Sequence, residues 1–346
     1  MHRPGFSLCH YVDGFVPSAV GPVPRVRTRP DVQDRLGTLM VRAGVRRMAH
    51  LVAPGLYAVG DPDHTSPVLA SANYKLSFDA LRFALAGVNA WILVLDTRGV
   101  NVWCAAGKGT LSTAELAKRV QAARLAEVVG HRELVLPQLA ATGVAGHQVR
   151  KACGFGVAWG PVRAADLPAF LAAGNRADEP MRRITFTLAE RLVLAPVEIA
   201  LALKPLAVAV AAAFVLGGIG PGVFSLERAG THGLGLALAL VAGLACGCLA
   251  LPALLPWLPG RFFSVKSGLL GLAGGLVLAL LTPGPGLYRL GLLLVTMATA
   301  SWLGMNFTGC TPYTSPSGVE HEMRRAMPAQ ALALLTGLAF FVAGAF

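Results

Sequence analysis

Five apolar runs fill the C-terminal half of the chain: roughly Leu201 to Ile219, Leu234 to Leu255, Leu269 to Leu281, Leu290 to Leu303 and Pro328 to Phe346. A helix needs about 20 apolar residues to cross the hydrocarbon core of a bilayer. The third and fourth runs fall short of that length, and their flanking residues supply the rest. With 54% hydrophobic and only 14% charged residues, the chain is too apolar for an ordinary soluble protein. Residues 181–346 are therefore expected to form an all-α transmembrane domain of five helices, with the lipid bilayer as a partner.

Charge sets the expected orientation. Arg182, Arg183, Arg191 and Lys204 precede or begin the first run, Arg261 and Lys266 follow the second, and Arg324 and Arg325 precede the fifth. The two other loops keep Arg228 and Arg289. The positive-inside rule puts the N-terminal half in the cytoplasm, a multi-pass anchor in the inner (cytoplasmic) membrane, and the C-terminus outside. The net charge of +12 does not point to nucleic acid, because the basic residues lack interleaved aromatics. Met1 to Arg47 is Arg- and Pro-rich without an apolar core, so no signal peptide is expected there. No inverted repeat is evident, which weakens a transporter reading. Glu198 and Lys204, at the start of the first run, fit either an interfacial pair or an ion path.

The six cysteines (Cys9, Cys104, Cys153, Cys246, Cys248 and Cys310) show no C-x-x-C spacing, so neither a zinc site nor a disulfide framework is indicated. Residues 1–60 carry Pro4, Pro17, Pro22, Pro24 and Pro30 among Arg25, Arg27, Arg29, Arg35, Arg42, Arg46 and Arg47. That composition predicts a loosely packed basic arm with one short helix. From Val68 the pattern becomes strand (Val68 to Ala72), loop, helix (Ser77 to Ala86), strand (Ala90 to Leu95) and a short helix (Val102 to Lys108). A capping box at Ser112 and Glu115 then opens a helix to Val129. Strands at Glu133 to Leu136 and Gly156 to Trp159 alternate with helices at His147 to Ala152 and Ala164 to Ala172. Such alternation over residues 61–180 predicts a parallel sheet with a ligand at the carboxyl ends of its strands. Those ends carry Asn73, Tyr74 and Lys75; Asp96, Thr97 and Gly99; Gln138 and Leu139; and Gly160 and Pro161. Each of these polar residues is equally a turn or cap residue, and only the set is informative.

The stretch Asp96 to Lys108 is the most specific in this half. Asn101 is a good N-cap and puts Cys104 in the first helical turn, a position that favours thiolate. Ala105, Ala106 and Gly107 are small, so a flat ligand could approach that helix. On spacing alone Cys104 is as readily a small buried hydrophobe. A phosphate loop is rejected, because a Walker A pattern needs Gly where Val102 stands and Ser or Thr where Gly109 stands.

The run Asn101-Val102-Trp103-Cys104-Ala105-Ala106-Gly107-Lys108 resembles the signature of the corrinoid protein of microbial mercury methylation. The preceding Asp96-Thr97-x-Gly99 resembles the corrinoid domain of the acetyl-CoA-pathway corrinoid iron–sulfur protein. The resemblance covers residues 65–346 and leaves about the first sixty uncovered. It implies an α/β Rossmann-like corrinoid-binding domain with a cap helix, followed by the membrane domain. It implies a cobalamin-type corrinoid cofactor held by the strand-end loops and by residues 101–108. It further implies Cys104 thiolate as lower axial ligand to cobalt, and methyl transfer from cobalt to Hg(II) to give methylmercury. A ferredoxin-like iron–sulfur protein would act as reductant, and a folate-linked C1 pathway would supply the methyl group. The rival readings are a corrinoid carrier of acetyl-CoA metabolism and a membrane transporter that senses corrinoid.

The segment Met305 to Arg325 is expected to be a cytoplasmic loop. Its hydroxyls, Asn306 and above all Cys310 would offer Hg(II) a route, a single thiol passing the ion on without trapping it; the alternative is a plain inter-helix turn. Cys246 and Cys248 fall mid-run and are read as packing residues.

Overall fold

The computed structural model describes residues 9–346. The chain divides into two compact units, one comprising the residues up to Val41 together with Val45–Thr185, the other Arg42–Gly44 and Phe186–Phe346.

The first unit is built on a seven-stranded mixed sheet of order β1-β2-β3-β5-β4-β6-β7. Its strands are β1 (Val12–Val16), β2 (Val23–Val26), β3 (Gly55–Val59), β4 (Val68–Ala72), β5 (Ala90–Leu95), β6 (Glu133–Leu136) and β7 (Gly156–Trp159). Strands β5, β4, β6 and β7 are mutually parallel, as the alternating pattern predicts. The expectation of an arm before residue 60 is corrected. That stretch contributes β1, β2 and β3 as well as α1 (Val32–Arg42), and β3 joins the parallel core by antiparallel pairing with β5. Its apolar alternation is hidden among prolines and arginines: Val16, Val23, Val26, Val52 and Tyr57 are buried, while Arg25 pairs with Asp13 and Asp61, and Arg27 with Asp31.

All six residues of β5 are buried and alternate between the two faces, as a central parallel strand requires. On one face Trp91, Leu93 and Leu95 pack with Leu116 and Val120 of α4 (Thr113–Ala122) and Val149 of α6 (Gly146–Cys153). On the other, Ile92 and Val94 pack with Phe78 and Leu81 of α2 (Lys75–Ala84) and Phe170 of α7 (Leu167–Ala172). The single helix predicted from Ser112 to Val129 breaks at Arg124, whose φ is 47°, leaving α5 (Leu125–Val128) as a separate turn. Ser112 accepts from the Glu115 N–H, but Glu115 turns its carboxylate to the Asp96 N–H and Arg119 instead of closing a capping box. The short helix α3 (Val102–Gly107) follows β5, and α8 (Glu179–Arg182) ends this unit.

The second unit holds five helical stretches long and apolar enough to cross a membrane: Leu188–Gly218, Leu226–Trp257, Phe263–Leu281, Gly286–Cys310 and Ser317–Ala343. Within them lie α9 (Leu188–Leu192), α10 (Ala195–Gly218), α11 (Leu226–Ala245), α12 (Leu251–Leu254), α13 (Phe263–Leu281), α14 (Gly286–Phe307) and α15 (Pro316–Ala343). Their outward residues are apolar: Val208 is 72% exposed, Leu280 71% and Leu332 68%. Their contacts are made by small residues. A Cβ on Gly217 would lie 2.5 Å from the Cα of Gly233, and one on Gly291 would lie 2.6 Å from the Phe341 nitrogen. Such close backbone approach is how helices pack where the hydrophobic effect is weak between them. The expected loop from Met305 is largely helical. The α14 helix runs to Phe307, a 3-10 turn covers Thr308–Cys310, and α15 begins at Pro316.

Candidate functional site

In the parallel core, β4 connects outward to β5, and the chain then crosses back to place β6 on the other side of β4. The carboxyl ends of β4 and β6 therefore flank a switch point, where crevices form in open α/β sheets. A cleft of ≈ 350 Å³ opens there. Leu69, Ala70 and Ser71 of β4 and Val135 of β6 form its floor, and Asn101, Val102 and Trp103 of α3 one wall. Leu139, Pro161 and Val162 come from the loops after β6 and β7. The lining is mainly apolar, with Ser71 and Ser77 as hydroxyl handles. The volume is at the lower end of ligand pockets, so the cleft suits one part of a large ligand better than the whole of one.

Helix α3 is held by its own sequence. Asn101 Oδ1 accepts the Cys104 N–H at 2.9 Å, which is the N-cap bond expected of Asn. Cys104 itself is half-buried, one residue beyond Trp103 and outside the immediate lining of the cleft. Ala105 and Ala106 point the other way, into the core, at 0% and 3% exposure. Their small size serves packing: a Cβ on Gly143 would sit 2.2 Å from the Leu111 carbonyl oxygen and 2.9 Å from the Ala106 Cα. The backbone of the loop after β6 thus presses directly on α3. Gly107 and Lys108 are exposed at the helix end.

The loop from β5 to α3 hangs on Asn73. Its Oδ1 accepts from the Thr97 N–H at 3.0 Å and the Gly99 N–H at 2.9 Å, and it lies 2.9 Å from the Thr97 hydroxyl. Its amide nitrogen donates to Asp96 Oδ1 at 3.3 Å, and Asp96 Oδ1 also accepts the Arg98 N–H. The turn needs left-handed backbone at Arg98 (φ 55°) and Gly99 (φ 72°). Asn73, Asp96, Thr97 and Gly99 therefore meet, but they do not line the cleft, and their polar groups are spent on one another in shaping the turn before α3.

Lys75 lies elsewhere. Its Nζ is buried 2.6 Å from Asp79 Oδ2 and 3.0 Å from Asp34 Oδ1, and Arg82 bonds the same two carboxylates at 2.7 and 2.6 Å. Burial would raise the Asp34 pKa, but hydrogen bonds from Arg82, His10 and Lys75 hold it well below the usual carboxylate range. Tyr74 is buried and bridges to Leu51, and residues 50–52 take the backbone groups of Asn73 and Lys75. Gln138 Oε1 accepts from Arg182 Nη1 at 2.9 Å, and the same nitrogen reaches the Gly160 carbonyl at 3.2 Å. Arg182 thus ties the loops after β6 and β7 together. Sequence reasoning passed over Arg182, Gly143, Ser71 and Ser77. None of the four carried a local sequence signal; the need for glycine at 143 comes from the backbone of Leu111 and Ala106 pressing on it in the fold.

Against known proteins, residues 45–170 match the family model described as CO dehydrogenase/acetyl-CoA synthase delta subunit. The match runs from before β3 into α7, takes in every cleft residue named above, and stops short of the five apolar helices. The chain is 36% identical over 122 residues to the acetyl-CoA decarbonylase/synthase complex subunit gamma of Methanopyrus kandleri, covering 35% of this chain and 26% of that protein. The same subunit of Methanocaldococcus jannaschii is 36% identical over 98 residues, or 28% and 20% of the two chains. That of Archaeoglobus fulgidus is 34% identical over 92 residues, or 26% and 20%. The chain spans about a quarter or less of the length of these relatives. The likeness is thus to the α/β unit that carries the cleft.

Proposed function

We propose that this protein is a membrane-anchored corrinoid methyltransferase, whose α/β unit binds a cobalt corrinoid at the cleft and whose acceptor is Hg(II). The observation that carries the reading is α3: a short capped helix at the switch point that lends Trp103 to an apolar cleft and bears a half-buried cysteine as the next residue. The residues fit the group. An apolar crevice bordered by Val102, Trp103, Leu139 and Pro161 suits the edge of a macrocycle, and Cys104 offers the sulfur donor. Asn101 and Asn73 orient the helix and the turn before it, Gly143 lets the opposing loop close on it, and Ser71 and Ser77 supply hydroxyls for polar substituents. When bound, the corrinoid supplies a methyl group on cobalt, and a thiolate ligand favours its release to a soft cation. The five apolar helices anchor the protein in a membrane, with the α/β unit cytoplasmic by the positive-inside rule. A ferredoxin-like reductant and a folate-linked methyl donor would complete the cycle as partners.

A second reading is favoured by the named relatives: a corrinoid methyl carrier of C1 and acetyl-CoA metabolism. One experiment separates the two. The purified full chain, loaded with methylcobalamin, is given Hg(II), and methylmercury is measured beside the visible spectrum. The mercury reading expects product with the parent, none with Cys104→Ala, and a spectrum that changes between them. Binding without any methylmercury would leave the carrier reading. Identical spectra for parent and Cys104→Ala would remove Cys104 from cobalt in both.

A further inference from the structure

Within the second unit, α13 and α15 both pack along α14. Their first turns lie together, because the Glu322 carboxylate of α15 accepts the Ser264 N–H of α13 at 2.6 Å. The far end of α14 meets them there. Its Ser301 hydroxyl donates to the Ser264 carbonyl at 2.9 Å, the Thr308 hydroxyl just beyond it donates to Glu322 at 3.2 Å, and the Gln330 amide of α15 donates to Ser301 Oγ at 2.9 Å. The polar groups at this end are thus engaged in holding three helices at a fixed spacing.

Between α13 and α15 that spacing leaves a trough of ≈ 370 Å³. Its α15 wall is Ala326, Ala329 and Ala333, whose side chains are too short to close it. Opposite them, Val265, Leu269 and Leu272 of α13 stand 50%, 42% and 41% exposed. From Phe262 to Leu272 the trough follows α13 for about 15 Å at the rise of an α-helix. That length matches one leaflet of a hydrocarbon core about 30 Å thick. Divided by the length, the volume gives a cross-section of about 25 Å², several times less than a helix 10–12 Å across would need. The space has the proportions of a single extended hydrocarbon chain.

Charge at the mouth supplies the other half of the occupant. The nearby helix ends carry Arg261, Lys266, Arg324 and Arg325 against Glu320 and Glu322. Arg324 is paired with Glu320, and Glu322 is 2% exposed with two hydrogen bonds already made. Arg325 is exposed, lines the trough and makes no ion pair among the described residues. Basic pockets between membrane helices take acidic lipid headgroups.

We propose that the trough between α13 and α15 seats one anionic phospholipid, with its phosphate at Arg325 and one acyl chain along Ala326, Ala329 and Ala333. The chain covers apolar side chains that α14 leaves bare and joins α13 to α15. The site rests on the membrane anchoring proposed above and requires neither corrinoid nor mercury.

The test uses the full chain, delipidated in detergent micelles and titrated with dioleoylphosphatidylglycerol or, as the zwitterionic comparison, dioleoylphosphatidylethanolamine, with bound lipid counted by native mass spectrometry. One saturable phosphatidylglycerol per chain is expected, bound more tightly than phosphatidylethanolamine. Arg325→Gln should weaken phosphatidylglycerol about fivefold, the worth of one basic residue near a headgroup, and Arg324→Gln should match the parent. Ala329→Leu fills the trough and should lose both lipids. Melts without added lipid show whether each variant is folded; if Ala329→Leu is not, the comparison of Arg325→Gln with Arg324→Gln alone decides. Equal binding of the two lipids, unchanged binding in Arg325→Gln, or a full complement of lipid in folded Ala329→Leu overturns the proposal. A dimer that Ala329→Leu abolishes would also overturn it and assign the trough to a second copy. Carbonate-resistant membrane association, expected to be equal in parent and variants, tells loss of this site apart from failure of the anchoring reading.

Discussion

Replacing Arg82 by Leu tests whether the first sixty residues belong to the α/β unit energetically as well as by contact. Arg82 is 0% exposed and bonds Asp34 of α1 and Asp79 of its own helix, and a further N–H donates to the Arg27 carbonyl at 2.5 Å. With Lys75 it balances two buried carboxylates, two positive charges against two negative. Removal leaves one uncompensated buried charge and an orphaned carbonyl. Breaking a buried pair from one side costs about 3–5 kcal/mol, or roughly two to three and a half powers of ten in the folding constant. Urea unfolding of the full chain in detergent, followed by trypsin cleavage at the arginines before residue 60, reads this directly. The double variant Arg82→Leu with Asp79→Leu restores neutrality. It is expected to be more stable than Arg82→Leu alone by about 1–2 kcal/mol, a coupling typical of one ionic network. A single variant within about 0.5 kcal/mol of the parent, or a double that simply sums the two singles, would refute the reasoning.

Acid should loosen the same cluster. The folded-state pKa of Asp34 is depressed, so its contribution is present above the unfolded value of about 3.9 and is lost as pH falls toward the folded pKa; Asp34→Asn should flatten the stability profile below about pH 4. Gly143→Ala puts a Cβ against backbone at Leu111 and Ala106, and overpacking of this kind costs about 1–3 kcal/mol. Weaker cobalamin binding should accompany it, and an unchanged melt and affinity would mean that α3 yields freely. Asn73→Ala strands the Thr97 and Gly99 N–H groups, at about 1–3 kcal/mol for each unsatisfied donor. Its cobalamin spectrum should shift toward that of Cys104→Ala if the turn positions the thiol. Gly217→Leu should separate α10 from α11 and lower the yield of folded protein in membranes, whereas normal insertion and melting would contradict the close packing.

The parallel core was legible because its strands are pure: β4 and β5 run Val-Leu-Ala-Ser-Ala and Ala-Trp-Ile-Leu-Val-Leu between turn residues. The apolar helices were legible by length. Both signals are local. Strands β1 to β3 were not, because β1 and β2 mix Gly or Pro with charge, and β3 follows Pro54 inside a stretch dominated by proline and arginine. Their burial comes from packing against distant residues, as Val26, Tyr57 and Val59 cluster with Phe78 and Leu81, while the Asp34–Arg82 pair spans 48 positions of sequence. No window of one strand or helix contains that information. The continuity of α14 and α15 through the expected 305–325 loop was masked in the same way, because Ser, Thr and Pro at the turn read as a longer break than the five residues that separate the 3-10 turn from α15.

At the site, local chemistry was legible and direction was not. The Asn101 cap and the Asp96 to Gly99 turn follow from residue type, and both are present with the bonds those residues favour. Which way α3 turns was set by packing. A six-residue helix with Ala105 and Ala106 in the core must point its remaining residues outward, and Gly143 decides how closely it lies. The small residues beside the sulfur, which looked like room for a ligand, are instead the buried face that fixes the helix. This changes what a bulky substitution there would report. Ala106→Val would strain the core first and alter a ligand only through displacement of α3, whereas Trp103→Ala would open the cleft and leave the core alone. If cobalamin binding responds to Trp103→Ala without a change in melting, and to Ala106→Val only together with one, the helix is a positioning device with its working face on the side of Trp103 and Cys104.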